Sequence, residues 1–309
     1  MPKDASSRPN FLIFSPDQHR YDWLGTNPAP PLRTPNVNQL AARGVRSTHC
    51  VTPSPLCAPA RACLASGRDY DHVPNDKYNY PLDQPTYCQA LRDPRCPSPG
   101  RAPDGRATGH RVAGVGKFDL HKATLDWGLN GRRLIEERGF TAGIDKEGKM
   151  DAIASYAGAE GTSPGPKGPY MAHLHARGLA QAHFDDFQAR RGHIGHTRTH
   201  VTPLPDKAYA DNWISGNGLR FLRGFPQDQP WFLIANFNWP HSPFDVTEAM
   251  QRAWRDVRFP SPVDSSQSDD SAHQAIRQNY AAMIENIDRQ VGRLLEAVQV
   301  RGELERTLL

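Results

Sequence analysis

Cys57 and Arg61 stand four residues apart in the stretch SPLCAPARACLASGR, between Ser54 and Arg68. Pro59 and the alanines and leucine behind it predict a helix that begins just after the cysteine. The free backbone N–H groups and the positive dipole end of such a helix point towards Cys57, which suits an anion. A cysteine in this place, with a guanidinium nearby, therefore predicts an anion site rather than a packing position alone.

Residues of reactive types also follow the predicted strands. A short apolar run in NFLIFSPDQ predicts a buried strand over Asn10–Ser15, just before Asp17. Further strands are predicted in HRVAGVGKF, with Lys117 just beyond it, and in PWFLIANFNWPH, which ends at His241. The run VRSTHCVT is another strand candidate and leads into Cys57. Because ligands of open α/β sheets bind outside the carboxyl ends of the strands, these four residues predict one shared site.

Two further helices are expected around this sheet. In TPNVNQLAARGV, Thr34 can cap a helix that Pro35 begins and Gly44 ends. The run AIRQNYAAMIENIDRQVGRLLEAV predicts an amphipathic helix, since its apolar residues recur every three or four positions. The stretches 94–109 and 157–206 are rich in Gly, Pro, His and Arg and are predicted to be loop insertions. The histidines of the second stretch match no zinc-ligand spacing, so a solvated loop is expected there.

The composition is that of a globular protein and excludes some classes of function. The chain has 309 residues, of which 38% are hydrophobic and 23% charged, and its net charge is +4. This slight charge, spread along the chain, favours no nucleic-acid partner, and no apolar run reaches the roughly 18 residues of a membrane span. The apolar segment in the first residues is too short for a secretory signal, so none is expected. Five cysteines are an odd count in a large chain, which predicts a reducing, cytoplasmic location, with Cys50, Cys63 and Cys88 packed as small hydrophobic residues.

The stretch CAPARACLASGR resembles the signature of the sulfatase family. Seven positions match it: Cys57, Pro59, Arg61, Leu64, Ser66, Gly67 and Arg68. In the right order, SPDQHRYDWLG, GVGKFDLHK and NWPHSPF resemble the family's first metal-binding strand end, its Gly-Lys motif and its Pro-His motif. The resemblance covers nearly the whole chain, 1–309. It implies an α/β fold of the alkaline-phosphatase-like type, with a mixed sheet sandwiched between helices.

The resemblance also implies a chemistry for Cys57. In the family this cysteine is converted by a formylglycine-generating enzyme to an aldehyde, whose hydrate attacks the sulfur of a sulfate ester and expels the alcohol. The second hydroxyl lets the covalent sulfo-intermediate collapse and release sulfate. One divalent metal ion activates the attacking hydroxyl, with Ca²⁺ expected first and Mn²⁺ or Mg²⁺ as alternatives. The implied substrate is a small-molecule or carbohydrate sulfate ester.

The remaining motif residues receive their roles from the same resemblance. Asp17 and Cys57 are implied as metal ligands, since hard cations take oxygen ligands such as carboxylates. Arg61 would stabilise the deprotonated nucleophile, and Lys117 would neutralise the sulfate oxygens. Replacing Lys117 is expected to lower turnover by about 10²–10³ with little effect on folding. His241 would contact or protonate the leaving oxygen.

The chain departs from the family pattern in three places. A single Asp17 followed by Gln18 stands where many members have two aspartates, as also occurs in phosphonate monoester hydrolases. Asp119 stands where a histidine usually follows the Gly-Lys motif, and His121 comes two residues later. In the family, a strand after the amphipathic helix ends with Asp-His or Asp-Asn and completes the metal site. This chain stops at ELERTLL, where that strand is expected to begin, so a C-terminal truncation is expected.

Three functions remain open at this point. The first is a formylglycine-dependent sulfatase, and the second is a phosphonate monoester or phosphodiester hydrolase on the same scaffold. The third is an inactive truncated fragment or a binding protein. Comparing turnover of an aryl sulfate and an aryl phosphonate ester separates the first two.

Overall fold

The computed structural model describes residues 8–74, 79–93, 100–101, 107–158, 164–190, 197–263, 265 and 269–309. The strands are β1 (Asn10–Asp17), β2 (Gly100–Arg101), β3 (Ala107–Thr108), β4 (Arg111–Gly116), β5 (Ala142–Asp145), β6 (Thr199–Val201), β7 (Trp231–Pro240), β8 (Phe244–Val246) and β9 (Thr307–Leu308). The α-helices are α1 (Pro35–Arg43), α2 (Cys57–Ser66), α3 (Tyr87–Arg92), α4 (Lys149–Ala157), α5 (Pro169–His175), α6 (Ala180–Ala189), α7 (Ala210–Gly224), α8 (Glu248–Arg252) and α9 (Asp270–Val300).

A five-stranded sheet forms the centre of the described structure, in the order β5-β4-β7-β1-β9. Its strands pair in parallel, with Phe11 opposite Phe232 and Val112 opposite the same residue from the other side. All ten residues of β7 are buried, as expected of a strand in a parallel sheet that is covered on both faces. The three strands predicted ahead of Asp17, Lys117 and His241 are therefore confirmed.

Helices cover both faces of this sheet. On one face α7 and α9 pack together against β7, and their core includes Leu219, Leu294 and Leu233. On the other face α2 and α3 contribute Ala62 and Cys88 to a smaller core that also holds residues of β4 and β7. The predicted α/β class with helices on both sides of the sheet is confirmed. Within the described residues, no helix is both long and apolar enough to cross a membrane.

The predicted strand in VRSTHCVT is wrong. The described backbone there is irregular, and Val45 and Val51 are 97% and 88% exposed. This stretch buries no apolar face against a neighbour, so the run of β-favouring residues has nothing to pair with. Cys50 is exposed as well, which corrects the expected packing, whereas Cys63 and Cys88 are buried as expected. Cys57 consequently comes from a loop-to-helix junction and not from a strand end.

The stretch 157–206 contains more regular structure than its composition predicted. Its described part holds helices α5 and α6, and His183 is buried between Tyr170 and Phe187. Apolar residues of both helices join the main core, which overrides the weak local signal of Gly, Pro and His. The solvated-loop expectation is therefore wrong for these two helices. Of the predicted insertion 94–109, residues 94–99 and 102–106 lie outside the described structure, and whether either stretch is an insertion stays a prediction.

Candidate active site

The carboxyl ends of three neighbouring parallel strands bring the predicted site residues together. Asp17 is the last residue of β1, Lys117 follows β4, and His241 follows β7, which lies between those two strands in the sheet. Cys57 reaches the same place as the first residue of α2. The shared site expected from the strand ends is thus formed by strands for three residues and by a helix N-terminus for the fourth.

Asp17 lies at the centre of the positive charges in this cluster. The register of β1 against β7 shifts between Ser15 and Asp17, and such an irregularity turns a side chain out of the regular pleat. Its Oδ2 accepts a hydrogen bond from Lys117 Nζ at 2.7 Å and lies 3.4 Å from an Arg61 guanidinium nitrogen. Burial alone would raise the pKa of Asp17, but Lys117 and then Arg61 hold the pKa of that carboxyl below its ordinary value. Asp17 is therefore an anion at neutral pH.

Lys117 is buried between two carboxylates. Besides Asp17, its Nζ contacts Asp119 Oδ2 at 3.1 Å, and its side chain is 6% exposed. Burial would lower the pKa of Lys117, yet Asp119 and Asp17 raise it above its ordinary value. Burial likewise acts to raise the pKa of Asp119, but Lys117 lowers that pKa to about 2. The three groups form a buried, fully ionised unit.

Arg61 connects the helix that carries Cys57 to this unit. One guanidinium nitrogen donates to the Lys117 carbonyl at 2.7 Å, while the other lies against Asp17. Arginine presents its donors in a rigid fork, so the two contacts fix the angle of α2 relative to the ends of β1 and β4. Cys57 and Arg61 are four residues apart in α2, so their side chains lie on the same face of the helix. One arginine can therefore hold this junction.

The Cys57 side chain lies where charges of both signs meet. Its Sγ is 4.0 Å from Lys122 Nζ. Burial is the largest effect on the thiol and raises its pKa, and Asp119 raises it further, while Lys117 and Lys122 act in the opposite direction. The net shift is upwards, so an unmodified Cys57 is a thiol and not a thiolate at neutral pH.

His241 is held by its own loop. Its Nδ1 lies 2.5 Å from the Ser242 carbonyl oxygen, which can only accept, so Nδ1 carries the proton and Nε2 is left to act in the site. The carbonyl of His241 accepts from the buried Lys149 Nζ at 2.5 Å. Burial lowers the pKa of His241, against an opposing effect of Asp17. Gln18 also braces this loop, because its Oε1 accepts from the Ser242 N–H at 3.4 Å.

Sequence reasoning assigned no site role to Asp119 or Lys122, both of which the structure places beside Cys57. A positive φ of 54° at Asp119 turns the chain there. A signal was present, since GKFDLHK holds Lys117, Asp119 and Lys122 within six residues, but spacing alone does not show which side chains turn inwards. His121 lies 3.4 Å from Asp145 Oδ2, and burial lowers its pKa to about 4.

The implied metal ion fits the described residues only in part. Asp17 and the side chain of residue 57 are the ligands that the resemblance implies, and both belong to this cluster. Asp17 already has two cationic partners. Among the residues that the structure describes, no three His, Cys, Asp or Glu side chains form a group that could hold an ion. These residues thus supply part of a coordination sphere that normally needs six or more oxygen ligands for Ca²⁺.

Comparisons with known proteins agree with the fold and the signature. The chain is 22% identical to an arylsulfatase of Clostridium perfringens, over 97% of this chain and 61% of that protein. It is 39% identical to arylsulfatase A of Bos taurus over 95 residues, 28% of this chain and 19% of that protein. The crystal structure of a phosphonate monoester hydrolase of Agrobacterium radiobacter matches with a TM-score of 0.68 and 22% identity, over 97% of this chain and 61% of that one.

The chain spans less than two thirds of the length of each of these proteins. The sequence profile of the family described as Sulfatase matches residues 9–309, which include all four predicted motifs. The match extends from the start of β1 to the last residue of the chain. The chain belongs to the sulfatase family.

Proposed function

We propose that this chain carries the nucleophile of a sulfuric ester hydrolase and that Cys57 is converted after translation to formylglycine. The observation that carries the proposal is the position of Cys57, at the N-terminus of α2 and beside a cluster of lysine, arginine and aspartate at the sheet edge. The sulfatase family generally uses formylglycine and a divalent metal ion. The whole protein's activity and its formylglycine-generating partner are parts of this proposal.

The environment of Cys57 favours a modified residue over a plain cysteine. Burial and Asp119 raise the pKa of the Cys57 thiol, so little thiolate is available for attack at neutral pH. Formylglycine at this position would supply, as its hydrate, a nucleophilic hydroxyl and a second hydroxyl for release of the product. The N-terminal turn of α2 favours negative charge at the same atom.

The other site residues bind and orient the anionic substrate in this proposal. Arg61 and Lys117 bring two positive charges to the site and hold Asp17 as an anion. Fixed charges of this kind stabilise charge that develops in a transition state without having to reorganise. His241 offers Nε2 to the leaving oxygen, and it can donate a proton there only when the ring is doubly protonated.

A divalent cation would be held in part by Asp17 and by the side chain of residue 57. Ca²⁺ is our first proposal, with Mn²⁺ or Mg²⁺ as alternatives, because hard cations take oxygen ligands. When bound, the ion would lower the pKa of a coordinated hydroxyl and polarise a substrate oxygen. The substrate that we propose is a small-molecule or carbohydrate sulfate ester, and a cytoplasmic location stays a prediction.

The second candidate is a phosphonate monoester or phosphodiester hydrolase. It is favoured by Asp17 followed by Gln18 in place of an aspartate pair, because one fewer carboxylate changes the charge offered to the substrate. Gln18 has a positive φ of 59° and its carbonyl accepts from the Tyr280 hydroxyl at 2.7 Å, so its place beside Asp17 is fixed.

Peptide mass spectrometry tests the modification. The chain is co-expressed with a formylglycine-generating enzyme, and the peptide that contains Cys57 should become about 18 Da lighter. Cys57→Ala is the matched control and should show no such loss. An unmodified thiol at Cys57 in the co-expressed protein would overturn the formylglycine mechanism.

Turnover then separates the two candidates. The converted chain, within the longest coding sequence available, is assayed with an aryl sulfate and an aryl phosphonate ester under the same conditions. A higher kcat/KM for the sulfate supports the sulfatase proposal, whereas a higher value for the phosphonate ester favours the second candidate. Cys57→Ala should abolish both activities.

A further inference from the structure

Two lysines approach Cys57 from the segment that follows β4, and they differ in how far they are exposed to solvent. Lys117 is 6% exposed and lies between Asp17 and Asp119. Lys122 is 28% exposed, its ion-pair contact is Asp151, at 3.2 Å, and Asp119 also acts on its charge and raises its pKa. Lys122 thus keeps access to solvent and to a ligand, whereas Lys117 is enclosed by two carboxylates.

Both lysines act on the Cys57 thiol, and Lys122 is the one whose ammonium makes a described contact with its sulfur. Its Nζ is 4.0 Å from Cys57 Sγ, the atom that stands for the nucleophilic oxygen of a converted residue. An ammonium group at this distance can reach an oxygen of a group that is being bonded to that atom. The flexible four-carbon stem of lysine allows the small movement that this requires.

We propose that Lys122 is a catalytic residue that donates a hydrogen bond to the oxyanion group transferred at residue 57, and that Asp151 positions it. The inference rests on the proposed function, since it needs residue 57 to be the nucleophile. Lys122 stays protonated throughout and transfers no proton. Asp151 lies in the first turn of α4, with its side chain 14% exposed, so the ion pair fixes the direction of the lysine from a rigid element.

A purely structural ion pair is the competing explanation. Partly exposed pairs of this kind add little to stability, so joining the turn at Lys122–Thr124 to α4 would not by itself require a lysine. Such a role predicts no effect of Lys122 on anion binding at Cys57. The two explanations therefore differ in whether Lys122 strengthens anion binding at Cys57, and this binding can be measured without turnover.

Anion binding at Cys57 is measured by how far inorganic sulfate protects the Cys57 thiol from alkylation. The unconverted chain is alkylated with iodoacetamide at increasing sulfate concentration, with sodium chloride holding the ionic strength constant. Fragment-ion mass spectrometry measures the extent of alkylation at Cys57. The exposed Cys50, which lies in the same tryptic peptide, is the internal reference. The concentration that gives half protection is compared among wild type, Lys122→Met, Lys122→Arg and the exposed-lysine control Lys207→Met.

We expect Lys122→Met to raise the half-protecting sulfate concentration by about tenfold or more, because a hydrogen bond from a charged donor is lost. Lys122→Arg should retain most of the protection, and Lys207→Met should equal wild type. Equal protection in wild type and Lys122→Met would overturn the role of Lys122 and leave the hydrolase proposal standing. If sulfate does not protect Cys57 in the wild-type chain, the role of Lys122 is also overturned. The proposed hydrolase function would fail as well only if Cys57 also resisted conversion to formylglycine.

Discussion

At the scale of single residues, the site is built around buried charges that compensate each other. Lys117 is in contact with Asp17 and Asp119, and Arg61 adds a second positive charge to the first of these carboxylates. An ion pair of this kind contributes little compared with apolar packing, but removing one partner leaves the other charged and buried. We therefore revise the expectation that Lys117 can be replaced with little effect on folding, and the revised expectation stays a prediction.

Lys117→Met should lower the free energy of unfolding by about 3–5 kcal/mol, because two buried carboxylates lose their shared cation. Urea unfolding of the purified chain measures this difference. Arg252→Met, which removes an exposed ion pair with Glu248, is the matched control and should change stability by about 0.5 kcal/mol or less. Equal unfolding midpoints for Lys117→Met and wild type would contradict the buried unit. The expected loss in turnover, about 10²–10³, stays a prediction.

At the scale of elements, the site depends on how closely β4 approaches β7. Gly116, the last residue of β4, has a φ of 115°, and a Cβ there would lie 1.9 Å from the carbonyl oxygen of Asn236 on β7. That same carbonyl accepts a hydrogen bond from the Lys117 N–H at 3.1 Å. The glycine of the Gly-Lys motif therefore lets the two strands close up and sets the place of the lysine.

Gly116→Ala should destabilise the chain by about 3 kcal/mol or more, because the added methyl group forces β4 away from β7. Gly216→Ala is the matched control in α7, where a Cβ would meet no atom within 4 Å. Alanine there should stabilise the helix by about 0.5–1 kcal/mol. Thermal and urea unfolding of both variants measure the two effects. A Gly116→Ala protein as stable as wild type would show that the strands are less tightly apposed than described.

At the scale of the whole molecule, burial keeps several histidines neutral. Burial lowers the pKa of His121, His173 and His183 to about 4 in each case. His173 and His183 lie on the neighbouring helices α5 and α6, whereas His121 lies between β4 and β5, and His183 is 3% exposed. Folding therefore opposes protonation at two separate places, so stability should depend on pH below neutrality.

The contribution of these histidines to the free energy of unfolding should fall as the pH drops from about 6.5 to about 4, whereas buried Asp211, whose pKa burial raises to about 7, acts in the opposite direction. In that window the unfolded chain binds protons at histidines that stay neutral when folded, so the contribution present above 6.5 is lost. One histidine with this shift accounts for at most about 3 kcal/mol. His183→Phe should reduce the slope of stability against pH. Urea unfolding at several pH values measures the slopes, and equal slopes for wild type and His183→Phe would contradict this origin.

The metal site is also a property of the whole molecule. Because the described residues contain no group of three or more ligands, these 309 residues expressed alone should bind Ca²⁺ and Mn²⁺ weakly, with a Kd of about 10⁻⁴ M or higher. They should also show no turnover of an aryl sulfate. Calorimetric titration with each ion, paired with that assay, measures both, and Asp17→Asn should abolish the residual binding. Tight stoichiometric binding with turnover would mean that the chain completes its site from residues not identified above.

By itself the sequence determined the class of fold, the family and the identity of most of the cluster. Short apolar runs predict the parallel strands β1, β4 and β7, and the signature after Cys57 is local, so both can be read from the chain. Contacts between distant residues could not be read in this way. Thr34 was expected to cap α1, yet its side chain makes no such bond, and Asp288 on α9 accepts from the Val37 N–H at 2.8 Å instead. In the same way, only the tertiary structure decided that Lys117 is enclosed by two carboxylates while Lys122 faces Cys57. Which charges meet depends on how strands and helices pack, and a local pattern carries no information about partners far along the chain.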